Sequence, residues 1–160
     1  MTIRKPNELT KGLEPGTRLL GLDMGIRTVG LALSDVGRSI ASPYDTLQRT
    51  KLAADLERLS EIIAREGVGA LVLGLPINMD GSEGPRCQAT RQFASDLLKR
   101  MDLPLAFWDE RLSTRAAEAA MLAADASRKR RAQSIDKVAA AIILQGFLDF
   151  IRVQPAGEDG

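Results

Sequence analysis

The chain has 160 residues, 44% of them hydrophobic, and a net charge of +1. That is enough apolar material for one domain with a real core, and it leaves no global field to draw nucleic acid or a membrane, so recognition has to come from a local patch. One cysteine and no histidine exclude an intramolecular disulfide, cysteine-pair zinc sites, histidine-ligated zinc, and Ser-His-Asp or Cys-His catalysis.

If the chain is an enzyme working near neutral pH, its chemistry falls to carboxylates, Lys, Arg, Tyr, or a metal held by oxygen ligands. No apolar run approaches the roughly 20 residues of a membrane span, and the N-terminus lacks the apolar centre of a signal peptide. The sequence reads as cytoplasmic, with no membrane partner.

Residues 1–16 are polar, contain Pro6, Gly12, Pro15 and Gly16, and lack periodicity; they read as a flexible arm. Arg18 to Ser34 reads as two strands joined by a tight turn at Gly25. Leu19, Leu20, Leu22 and Met24 place apolar groups on both faces of the first strand, which makes it a central one. Ser39 to Leu47 reads as a third strand, at an edge because it contains Pro43. Leu52, Leu56, Leu59 and Ile63 recur at helical spacing between Lys51 and Glu66, and Gly67 supplies the stop.

Ala70 to Leu75 is a continuous apolar run, expected to be a buried strand parallel to the first. A loop from Pro76 to Gly84 leads to a helix ending near Met101, with Ala89, Phe93, Ala94, Leu97 and Leu98 facing inward. Pro104 to Asp109 forms a short strand, and Ser113 or Thr114 caps an Ala-rich helix to about Ala124. A basic stretch follows, then a final helix from Ser134 to Ile151. The tail 152–160 reads as frayed. The domain expectation is thus a single unit over 17–151: an α/β fold with a mixed five-stranded sheet, three antiparallel strands extended by two parallel ones, flanked by helices.

On that sheet the acids fall into place. Asp23 lies near the C-terminal end of the first strand, and Asp109 and Glu110 at the same end of the last. Open α/β sheets bind ligands at that edge. Asp136, in the final helix, shares a stripe with Ala139, Ile143 and Phe147, an inward position that a surface acid would not need; an acid early in a helix also complements its dipole. Carboxylates gathered at one place repel one another unless cations lie between them. Two Mg²⁺ ions roughly 4 Å apart would remove that repulsion and could activate water against a phosphodiester.

Gly21-Leu-Asp-Met-Gly25, Gly74-Leu-Pro-Ile-Asn-Met-Asp-Gly-Ser82, Asp109-Glu-Arg-Leu-Ser-Thr114 and Ile135-Asp136, in this order, resemble the YqgF/RuvX family. The resemblance spans about 17–150. It implies the ribonuclease H-like fold of the RuvC resolvases and a metal-dependent nuclease. The expected activity is 5′-end processing of pre-16S rRNA in ribosome biogenesis, or the resolution of Holliday junctions in branched DNA. It further implies that Asp23, Glu110 and Asp136 are catalytic and hold Mg²⁺ or Mn²⁺, two ions in all. Adjacent strand residues face opposite ways, so Asp109 remains the alternative to Glu110 as a ligand.

Ser127-Arg-Lys-Arg-Arg131 is the densest basic run, and Arg128, Lys129, Arg130 and Arg131 are candidate phosphate contacts beside the helix that carries Asp136. Arg111 and Arg115 flank the other acids, and Arg27 lies in the first turn. Asn78 and Ser82 could touch substrate; equally, Asn78 could only shape its loop and Ser82 only cap the following helix. Few aromatic residues are present for stacking bases, so backbone and shape recognition are expected, which suits structured RNA such as pre-rRNA, branched DNA, or ribosomal particles. Trimming an RNA end needs one active site, whereas symmetric junction cleavage needs two, hence a monomer or a homodimer. A non-catalytic nucleic-acid-binding module is a further reading. An ATP-binding domain of the actin and sugar-kinase type would need a second phosphate loop, for which the chain has no room.

Overall fold

The computed structural model describes residues 3–112 and 128–153. Strands β1 (Arg18–Met24), β2 (Thr28–Ser34) and β3 (Ala41–Gln48) are followed by helix α1 (Leu52–Glu66), strand β4 (Val68–Leu75), helix α2 (Pro85–Arg100), strand β5 (Leu105–Asp109) and helix α3 (Arg128–Arg152). The sheet order is β3-β2-β1-β4-β5. β1 pairs antiparallel with β2 and parallel with β4, β2 pairs antiparallel with β3, and β4 pairs parallel with β5. This is the mixed five-stranded arrangement expected from the sequence. It follows from connection length: short turns force antiparallel neighbours, and helical crossovers return parallel ones.

Period-two alternation sorts the central strands onto two layers. Leu20 and Leu22 of β1 and Leu71 and Leu73 of β4 face α1 and α2, meeting Leu56, Leu59, Phe93 and Leu97. Leu19, Ala70, Val72, Ala106 and Trp108 face α3 and meet Ala140, Ile143, Leu144 and Phe147. Gly67 ends α1 in the left-handed region at φ 66°, where a side chain would be strained. Among the described residues no helix is long and apolar enough to cross a membrane.

Several elements differ from the expectation. α3 begins at Arg128, so the basic run belongs to its first turns and does not form a preceding loop. Positive charge there opposes the helix dipole, but Arg, Lys, Ala and Gln are strong helix formers and no Gly or Pro interrupts them before Gly146. In α2, Ala89 is exposed and Leu98 only half-buried, while Cys87 and Thr90 take inward positions. The segment read as a loose arm makes specific contacts. Ile3 bridges Leu105, the Arg4 amide donates to the Leu105 carbonyl at 2.8 Å, and Leu9 is fully buried in the α3 layer. The expected helix from Ser113 or Thr114 to Ala124 lies outside the described residues, as does the tail beyond residue 153.

Candidate active site

Asp23 stands one residue before the end of β1, opposite Gly30 of β2. Its face is fixed by Gly21, two residues earlier: a Cβ there would lie 2.8 Å from Leu144 Cβ and 3.2 Å from the Ala140 carbonyl oxygen. Gly21 and Asp23 therefore point to the α3 side of the sheet. Gly74 of β4 is on the same side, since a Cβ on it would meet Ile143 Cδ1 at 2.4 Å and Glu110 Oε2 at 3.0 Å. The bare backbone at Gly74 leaves the space that the Glu110 carboxylate occupies.

Glu110 opens a short 3₁₀ turn (Glu110–Leu112) after β5. Its carboxyl is pushed up from 4.5 to about 7, first by burial and then by the negative charge of Asp23. The structure thus brings Asp23 and Glu110 together electrostatically. Arg86 at the start of α2 opposes this shift and donates to the Met24 carbonyl at 2.9 Å.

Asp109 has a different environment. Its carboxylate accepts from the Arg111 amide at 2.9 Å and from the Arg111 guanidinium at 2.7 Å. The guanidinium holds Asp109 below the usual carboxylate range. Arg111, a candidate substrate contact, is therefore paired with the neighbouring acid and reaches the Met79 carbonyl at 3.5 Å. Asn78 is spent within its own loop: its amide donates to the Ser82 hydroxyl at 3.0 Å, and Gly81 N donates back to its carbonyl at 2.8 Å. Ser82 does not cap α2, whose N-cap is Gly84; its hydroxyl donates to Asp80 at 2.6 Å. Arg27 is exposed in the β1–β2 turn.

Asp136 is described only by its backbone position on α3. The Gln145 side chain accepts from Ala41 N and donates to the Ser39 carbonyl, and Leu148, Ile151 and Arg152 border the β2–β3 turn. That turn is at the N-terminal end of β1, so α3 runs back toward the edge where Asp23 stands. Asp136 lies one helical turn before Ala140, which abuts Gly21. The side chains of Asp136, Arg128, Lys129, Arg130 and Arg131 are outside the described ones, and Arg115 is outside the described residues. Among the described residues no three acidic, cysteine or histidine side chains gather around one point.

The sequence matches the model of the family described as "RuvX: Holliday junction resolvase" over residues 17–150. The chain belongs to the RuvX family. A RuvX relative from Paramagnetospirillum magneticum, curated under the name "Putative pre-16S rRNA nuclease", is 58% identical over 149 residues, 93% of this chain and 96% of the relative. A second, of the same name, from Roseobacter denitrificans is 61% identical over 143 residues, 88% of each chain. Among solved structures, Thermus thermophilus RuvC in complex with a Holliday junction substrate matches with a TM-score of 0.54 at 14% identity, over 84% of this chain and 96% of that one. The yeast mitochondrial Holliday junction resolvase Ydc2 matches with a TM-score of 0.52 at 14% identity, over 92% and 84%. At such identities the likeness concerns the fold: this RuvX protein has the ribonuclease H-like architecture.

Two residues at this edge were not reached from the sequence, Arg49 and Arg86. The signal available was position: one follows the end of β3 and the other opens α2, both beside the turn that follows Asp23.

Proposed function

We propose that this protein is a metal-dependent nuclease that hydrolyses phosphodiester bonds at the 5′ end of pre-16S rRNA, in the cytoplasm and on precursor ribosomal particles. The observation that carries the reading is the Asp23–Glu110 pair, in which burial and Asp23 raise Glu110 to about 7. Two adjacent hard oxygen donors, one of them raised by the negative charge of the other, fit Mg²⁺ or Mn²⁺. Asp23, Glu110 and Asp136 would hold the ions, and Asp109, engaged by Arg111, would not. Bound there, such ions supply a polarised phosphate and a water of lowered pKa.

The chain's own residues do the rest. Glu110 exchanges a proton near neutral pH, so it binds as a carboxylate once its charge is compensated. Ile143, buried against Gly74, packs beside the Glu110 carboxylate. Arg27 and the Arg128–Arg131 run provide charge for flanking phosphates.

The assay compares cleavage of a precursor rRNA 5′ end with cleavage of a four-way DNA junction, for wild type and Asp23→Asn. Mg²⁺-dependent trimming of the rRNA that the variant lacks is expected. Equal trimming by the variant overturns the catalytic assignment, and preference for the junction transfers the substrate to branched DNA.

A further inference from the structure

A cavity of about 150 Å³ lies between the β1–β2 turn and the start of α2, lined by Met24, Gly25, Ile26, Arg49, Arg86 and Thr90. The two arginines are each pinned by one hydrogen bond to the turn. Arg49 Nη1 donates to the Gly25 carbonyl at 2.8 Å and Arg86 Nη2 to the Met24 carbonyl at 2.9 Å. These carbonyls directly follow Asp23.

Arg18, Arg58, Arg91, Arg100 and Arg111 all rest against carboxylates. Among the described residues, Arg49 and Arg86 have no such ion pair. Two guanidinium groups bordering one small cavity repel each other, and an anion between them removes that cost. Each is a planar fork of five donors, of which the turn takes one, and its orientation is already fixed. The remaining donors suit the oxygens of a phosphate. Arg86 also acts electrostatically on Glu110, so the cavity adjoins the acidic pair.

We propose that this cavity is a phosphate seat, in which Arg49 and Arg86 hold a backbone phosphate of the bound strand next to the phosphate placed at Asp23 and Glu110. The proposal rests on the nuclease reading above. The seat sets which linkage reaches the acids, because a strand gripped one phosphate away is fixed in register.

The test uses a short single-stranded RNA labelled at its 5′ end, in EDTA so that no cleavage occurs. A set of the same RNA carries a neutral methylphosphonate at one linkage at a time. Arg49→Gln/Arg86→Gln keeps an amide that can donate to the turn but removes both charges; Arg100→Gln, at the far end of α2 against Glu57, is the control. Fluorescence anisotropy is expected to show about tenfold weaker binding for the double variant and a salt slope smaller by about 0.7. One methylphosphonate should weaken wild type and Arg100→Gln but leave the double variant unmoved.

The seat is overturned if wild type does not bind the RNA, if the double variant binds within about twofold of wild type, or if every methylphosphonate penalises both alike. Cleavage by Asp23→Asn in Mg²⁺ reports separately on the nuclease reading. A dead Asp23→Asn with an unaltered double variant removes only the seat, and an active Asp23→Asn with a weakened double variant removes only the chemistry.

Discussion

Replacing Glu110 with Gln tests the acidic pair without needing a substrate. In the folded protein burial and Asp23 hold the Glu110 proton up to about pH 7, against 4.5 for the ordinary group. Between those values the folded state binds more protons than the unfolded one, so its stability falls as pH rises, and the loss is complete above the folded value. At about 1.4 kcal/mol for each pH unit the ceiling is about 3 kcal/mol. The carboxyl remains partly hydrated, which reduces the expected cost to about 1–2 kcal/mol. Gln keeps the shape and never ionises. In EDTA, thermal melts should therefore coincide near pH 4.5 and separate through pH 7, with Glu110→Gln melting about 3–6 °C higher at pH 8. Mg²⁺ should invert the order, raising wild type and leaving the variant nearly still. A pH-independent gap, or equal stabilisation of both by Mg²⁺, would refute the coupled-acid reasoning.

Gly74→Ala should cost about 1–3 kcal/mol in chemical denaturation, because its Cβ would lie 2.4 Å from Ile143 Cδ1, and Ile143→Val should recover part of it by removing that atom. Gly21→Ala should cost a similar amount, about 1–3 kcal/mol, without rescue from trimming Leu144, because the Ala140 backbone oxygen also lies 3.2 Å from the new Cβ. Arg111→Ala should raise the Asp109 titration midpoint toward the ordinary carboxylate value in NMR, since the guanidinium that lowers it is gone. Asp136→Asn should abolish most of the Mg²⁺-dependent rise in melting temperature, as Asp23→Asn should; an unchanged rise would remove Asp136 from the ion site.

Much of the sheet was legible because its signals are local. The apolar run at Ala70–Leu75 and the helical spacing ended by Gly67 are patterns a chain cannot hide, and short turns versus helical crossovers then dictate strand order. What escaped was decided by single tertiary contacts. Leu9 is one apolar residue in a polar stretch, with no period to mark it, yet it is fully buried. The basic residues at 128–131 carry charge of the wrong sign for a helix start, and intrinsic helix preference overrode that sign. The pairing of Arg111 with Asp109 depends on a 3₁₀ turn after β5 that no residue pattern announces. That pairing gives the two adjacent acids different surroundings: Asp109 is held by Arg111, and Glu110 feels the charge of Asp23.

The spacing Gly21-Leu22-Asp23 has a structural meaning that the motif alone conceals. Residues two apart on a strand share a face, so the position that lacks a Cβ and the position that carries the acid both look toward α3. At Gly21 the helix approaches until Leu144 and the Ala140 carbonyl occupy the volume of a methyl group, and Gly74 on the next strand repeats the arrangement with Ile143. A side chain at either position would press against α3. The same bare patch at Gly74 admits Glu110 beside Asp23. The two glycines thus let α3 lie close against the sheet beside Asp23 and Glu110, two acids 87 residues apart along the chain.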